Sequence, residues 1–160
     1  MEKVQQTLKA EADFKRGQRM LNAGKLMGSL AAFKEAMEGY PEEGEYLAYY
    51  GFVFFRVKQK SAPDDAETGI ELIIKGRELA PASTAVPHLL GKAYLLKGDG
   101  ASAKKALRDS LKMNADNPDA IRDYKRADAI SKGEDPDGKP SDDGKRGGLK
   151  GLFGRFKKSK

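Results

Sequence analysis

The chain has 160 residues, 39% of them hydrophobic and 34% charged, which suits one domain of ordinary size with much surface. It has no Cys and one His, which excludes disulfides and thiol chemistry, leaves no zinc-type ligand set, and makes a reducing cytoplasm the expected compartment. The net charge of +6 is uneven: residues 1–131 sum to +2, 132–144 to −3 and 145–160 to +7, so the basic character sits at the C-terminal end and not across a face of the body.

In chain order, helical periodicity predicts helices over 2–22, 26–39, 43–58, 65–80, 84–97, 100–113 and 118–131. The polar start lacks the apolar run of a secretory leader, and the longest apolar stretch, 47–55, is far short of the roughly 20 residues that span a bilayer. The first pair of helices carries Gly17, Met20, Ser29, Phe33 and Ala36, and closes on Pro41. The second pair carries Tyr50, Gly51, Phe54, Gly69, Ile73 and Gly76, and closes on Pro81. Its surplus of six residues is expected in a lengthened loop at 61–65. The third pair carries Leu90, Gly91, Tyr94, Ala103, Leu107 and Ser110, with its closing Pro displaced to Pro118. Asn117 and Pro118 then start a last helix, whose Ile121, Tyr124 and Ile130 are expected to face inward as a cap.

This recurrence of small and large residues at fixed spacing resembles the tetratricopeptide repeat, a helix–turn–helix unit of 34 residues. The resemblance covers residues 8–131 and implies an all-α solenoid of three repeats plus a C-terminal capping helix, spanning 1–131. Each unit buries its apolar face only against its neighbours, so about three are needed for stability. More loosely, the layout is similar to bacterial repeat modules of J-domain proteins and of cell-polarity regulators, which can end in comparable Gly/Lys/Phe tails.

In this family the first helices of successive units line a concave groove. The matching positions are Glu11, Phe14, Lys15, Gln18 and Leu21 in the first unit. The second offers Glu45, Ala48, Tyr49, Phe52, Phe55 and Arg56, and the third Ala85, His88, Leu89, Lys92 and Leu95. Family members that grip the acidic C-terminus of heat-shock chaperones use Lys, Asn, Asn, Lys and Arg. Here those positions hold Phe14, Gln18, Tyr49, Ala85 and Leu89, so that clamp is not expected. The groove reads instead as apolar and aromatic, suited to a helix or extended segment of a partner protein with bulky anchors. Phe14, Gln18, Tyr49, Phe52, Phe55, His88 and Lys92 are its candidate contacts. Phe14, Phe52 and Phe55 read equally well as core.

Residues 132–144, rich in Gly, Pro and acid and devoid of apolar side chains, are expected to be a flexible linker. Asp135, Asp137, Asp142 and Asp143 lack the spacing and closing Glu of an EF-hand loop. In 145–160, Leu149, Leu152, Phe153 and Phe156 fall at i, i+3, i+4 and i+7, one apolar stripe among Lys150, Arg155, Lys157 and Lys158. Such a tail suits an anionic membrane surface or an acidic partner, and would place a cytoplasmic protein peripherally at the inner face of the membrane. Nucleic acid is the weaker reading, since the basic charge is confined to one short run.

No catalytic constellation accompanies these features. His88 has no nucleophile-elbow sequence, Gly91-Lys92 no upstream phosphate-loop glycine, and the carboxylates alternate with Lys and Arg at helical spacing. Neither a cofactor nor a metal is expected. The sequence therefore reads as a protein–protein interaction adaptor, not an enzyme. The rival reading is an auto-regulated module whose tail docks in its own groove until a partner displaces it.

Overall fold

The computed structural model of the chain describes residues 1–136. Among the described residues seven α-helices follow one another: α1 (Glu2–Asn22), α2 (Leu26–Gly39), α3 (Gly44–Lys58), α4 (Pro63–Leu79), α5 (Ala85–Lys97), α6 (Gly100–Met113) and α7 (Pro118–Ser131). The expected linker from residue 137 onward and the tail at 145–160 lie outside the described residues. Among the described residues no helix is long and apolar enough to cross a membrane.

Local chemistry sets the helix ends. The Glu43 carboxylate accepts from the Glu45 N–H, Asp99 Oδ1 accepts from the Ser102 N–H at 3.0 Å, and Asn117 Oδ1 accepts from the Asp119 and Ala120 N–H groups. Each thereby satisfies donors left open in a first turn. Gly98, at φ 84°, ends α5 in the left-handed conformation that a side chain would disfavour. Pro41 and Pro81 follow the ends of α2 and α4 by two residues, where a helix cannot continue.

One sequence expectation changes here. Residues 63–65 are not loop but the first turn of α4, with Pro63 at its start and Asp64 and Asp65 in the favourable field of its N-terminus. The surplus of the second unit thus goes mainly into longer helices.

α1/α2, α3/α4 and α5/α6 form antiparallel pairs, and α7 packs on α6 and α5 as a cap. The first pair buries Phe33 completely, under Gly17, and joins the second through an aromatic cluster. Phe14 stacks on Tyr46 with ring centres 4.6 Å apart and meets Tyr49 edge-on at 5.0 Å. Such pairs add roughly 0.5–1.5 kcal/mol beyond their buried area.

The middle pair is held by backbone contact. A Cβ on Gly51 would lie 2.6 Å from the Gly69 carbonyl oxygen, and one on Gly69 would lie 2.5 Å from that of Gly51. Gly44 and Gly76 repeat this reciprocal arrangement one end further along. At the cap, Ala103, Leu107 and Ala127 form a small core of their own, flanked by Tyr94, Leu95 and Tyr124. α7 turns Ala120, Asp123 and Ala127 inward, while Ile121, expected inside, is 37% exposed. The reason is register: Ala120, Asp123 and Ala127 recur at i, i+3 and i+7 on one face, and Ile121 points about 100° away from it.

Candidate functional site: a groove with two charged ends

The inner layer of the solenoid comprises α1, α3, α5 and α7, and it holds two clefts that lie toward opposite ends of these helices. α3 contributes to both, with Glu45 and Tyr46 at one end and Phe52 and Arg56 at the other.

The first cleft, about 710 Å³, lies between α1, the start of α3 and the turn from α4 to α5. Phe14 and Tyr46 form its apolar wall, and Glu11, Glu42, Glu43 and Glu45 surround it, against Lys15 alone of opposite sign. Lys15 already pairs with Glu11 at 2.8 Å, and Glu45 accepts a hydrogen bond from Ser83 Oγ. Burial first, and then the negative field of Glu11, Glu43 and Glu45, raises the Tyr46 phenol above its ordinary pKa.

The second cleft, about 380 Å³, lies between the later turns of α1 and α3, the later half of α5, and α7. Its apolar lining is Leu21, Phe52, Leu95, Leu96 and Ile130; its charged rim is Arg56, Lys92, Arg122 and Arg126. The Arg56 guanidinium sits 5.9 Å from the centre of the Phe52 ring, a contact worth about 0.5–1 kcal/mol when exposed. One carboxylate, Asp123, lies in this cleft, and it is bound inward: its Oδ2 is 2.8 Å from His88 Nε2 across the α5–α7 seam. Burial alone would raise the Asp123 pKa. The hydrogen bond to His88 and the positive charges of His88, Lys92 and Arg122 outweigh it, holding the carboxyl below its usual range.

The seven candidate contacts therefore fall in different places. Gln18 and Phe14 line the acidic cleft, although Phe14 is largely buried in the aromatic cluster. Tyr49 is half-buried beside them, its phenol raised by burial and partly relieved by a hydrogen bond with Gln18. Phe52 and Lys92 line the basic cleft. His88 is half-buried and spent on Asp123, joining cap to body. Phe55 faces away from both clefts: its backbone and Cβ sit against Gly69 of α4, and its ring borders a crevice between α3, α4 and α5.

The groove is also less aromatic and more charged than its sequence positions suggested, because Phe14, Phe52 and Phe55 are each under 10% exposed. Arg122 and Arg126 belong to the site and escaped the sequence reading, since a capping helix lies outside the repeat and offers no repeat position to read. Their spacing of four with Ile130 four further on was the available signal.

Three helix pairs with small residues at their crossings, a capping helix and an inner layer that carries the clefts make up the tetratricopeptide-repeat fold. No protein-family model matches the sequence, and no curated protein matches it. Solved structures do match. The first tetratricopeptide domain of Spaghetti (RPAP3), bound to the HSP90 peptide SRMEEVD, is similar at TM-score 0.64 and 18% identity, over 79% of this chain and 98% of that one. The Arabidopsis OM64 tetratricopeptide domain aligns at TM-score 0.63 and 13% identity, over 77% and 97%. The first such domain of human RPAP3 aligns at 0.63 and 18%, over 78% and 93%.

Proposed function

We propose that this chain is a protein–protein interaction adaptor whose inner face holds a segment of a partner protein. The observation that carries this reading is the inner layer itself: two clefts with apolar walls and opposite charge, one toward each end of its helices. A neighbour of the same fold binds a peptide, which supports a peptide-like ligand here as well. In this reading Gln18, Phe52 and Lys92 contact the partner, while Phe14, Tyr49, Phe55 and His88 shape the layer that presents them. The tail, through Leu149, Leu152, Phe153, Phe156 and their basic neighbours, adds a second attachment to an anionic membrane or an acidic protein.

The test is site-directed photo-crosslinking in the source cell, with a photoreactive amino acid at position 18 or 126 on the inner layer and at position 34 on the exposed side of α2. Partner adducts from the inner positions alone support the adaptor reading. Adducts only from position 34, or loss of all partners on truncation at Gly144 alone, would sink it.

A further inference from the structure

We propose that the cleft between α3, α5 and α7 is a receptor for an acidic protein segment bearing one bulky apolar residue, engaged internally and not through a terminal carboxylate. The inference rests on the adaptor reading and names the chemistry of the partner.

The first ground is unspent charge. Among the described residues Arg56, Lys92 and Arg126 form no ion pair and share one rim, whereas Arg77, Lys97 and Lys104 pair across helices with Asp109, Glu67 and Asp128. Asp123, the one carboxylate in the cleft, is buried and turned to His88, so it leaves most of the rim positive. Helix C-termini favour nearby cations, which accounts for Arg56 at the end of α3. It does not account for Lys92 in mid-helix or for Arg126 in the middle of α7, while Arg122 on the same rim pairs with Asp119 at 3.1 Å.

The second ground is the apolar surface inside the ring of cations. Leu96 is 47% exposed at the cleft edge, and Phe52 and Leu95 line the cleft beneath the Arg56 guanidinium. A space of about 380 Å³ admits one large side chain with some flanking backbone, at the lower end of the usual range for ligand pockets. An anchor there, ringed by carboxylates reaching Arg56, Lys92 and Arg126, would satisfy both features at once.

The third ground is the sign at the other end of the groove. A long polyanion such as nucleic acid, lying along the inner layer, would run into Glu11, Glu42, Glu43 and Glu45. A short acidic segment ends before it reaches them. A flat anionic bilayer cannot enter a concave cleft. The chain's own tail, with a net charge of +7 over residues 145–160, is repelled from the basic end, which counts against its self-docking there. Terminal-carboxylate recognition is disfavoured because the residues that would grip it, read from the repeat positions, are Phe14, Gln18, Tyr49, Ala85 and Leu89.

The test is panning of a random peptide library on the full chain, followed by fluorescence anisotropy of the selected peptide with a free and an amidated C-terminus. The expected result is enrichment of Asp/Glu-rich peptides with one Leu, Phe or Met, with equal affinity when amidated. Lys92→Glu/Arg126→Glu should weaken the selected peptide about tenfold or more, and Lys34→Glu should not. Selection of basic or uncharged peptides, dependence on the free carboxylate, or indifference to the double charge reversal overturns the proposal. So does binding of a single-stranded oligonucleotide or of phosphatidylserine vesicles that is lost in the same double variant. If photo-crosslinking still places a partner on the inner layer, only the partner chemistry was wrong. If it does not, the adaptor reading has failed with it.

Discussion

Gly51 and Gly69 illustrate how much rides on a missing side chain. In an open helix, replacing Gly by Ala gains about 1 kcal/mol of propensity. Here a methyl on Gly51 would meet the Gly69 carbonyl oxygen at 2.6 Å, and a backbone atom within a packed helix cannot step aside. Gly51→Ala should therefore destabilise the protein by roughly 1–3 kcal/mol in urea unfolding, overpacking outweighing propensity. Gly28→Ala, whose methyl meets only the flexible end of Met20, should be close to neutral.

A second residue-scale effect concerns acid. Asp128 bridges Lys104 and Lys132, and the hydrogen bonds from both lower its pKa from 3.8 to about 2. Asp123 is lowered as well. A carboxyl whose folded pKa lies below its unfolded value contributes stability above that unfolded value and loses it as pH falls through the folded one. The docking of α7 should thus weaken between about pH 4 and pH 2, ahead of the α3–α4 pair. NMR of Tyr124, which packs under Lys104, reads this directly, and Asp128→Asn should flatten the response.

At the scale of elements, α7 serves two ends at once. It covers Leu107, which has no exposure, and it supplies Arg122, Arg126 and Ile130 to the basic cleft. A chain stopped at Asn117 should lose about 2–3 kcal/mol from uncovering Leu107 and its alanine neighbours, a fall of roughly 6–15 °C in Tm by calorimetry. Binding at the cleft should be lost with it.

The seven helices were legible from the sequence because small and large residues recur at Gly17, Gly51 and Gly91 and at Phe33, Ile73 and Leu107, and because Asn117-Pro118 opens the last one. The start of α4 was misplaced: Pro63 reads as a breaker until it is seen to occupy a first turn, where its missing N–H costs nothing. Ile121 was misjudged because the inward face of α7 runs through Ala120, Asp123 and Ala127, and Ile121 falls to one side of it. The candidate site was legible in part. Repeat positions located Gln18, Phe52, Arg56 and Lys92, but they could not show which aromatic rings are covered by the next helix pair. Nor could they join the cations of α3 and α5 to those of α7, since that cluster is made by packing alone.

Viewed as one molecule, the solenoid is unequal along its length. α3 and α4 touch backbone to backbone at two places, Gly51 with Gly69 and Gly44 with Gly76, whereas α7 has one such contact, its last turn against Gly100, and is otherwise fastened by alanines and by polar links such as His88–Asp123 and Lys104–Asp128. A partner seated in the basic cleft would draw on both kinds of joint, through Arg56 and Phe52 on the stiff side and Arg126 on the yielding side. Under tension the end helix would peel away while the central pair stayed whole. The grip would then behave as a clasp that opens at its outer edge, releases its load and snaps shut again without the domain ever unfolding.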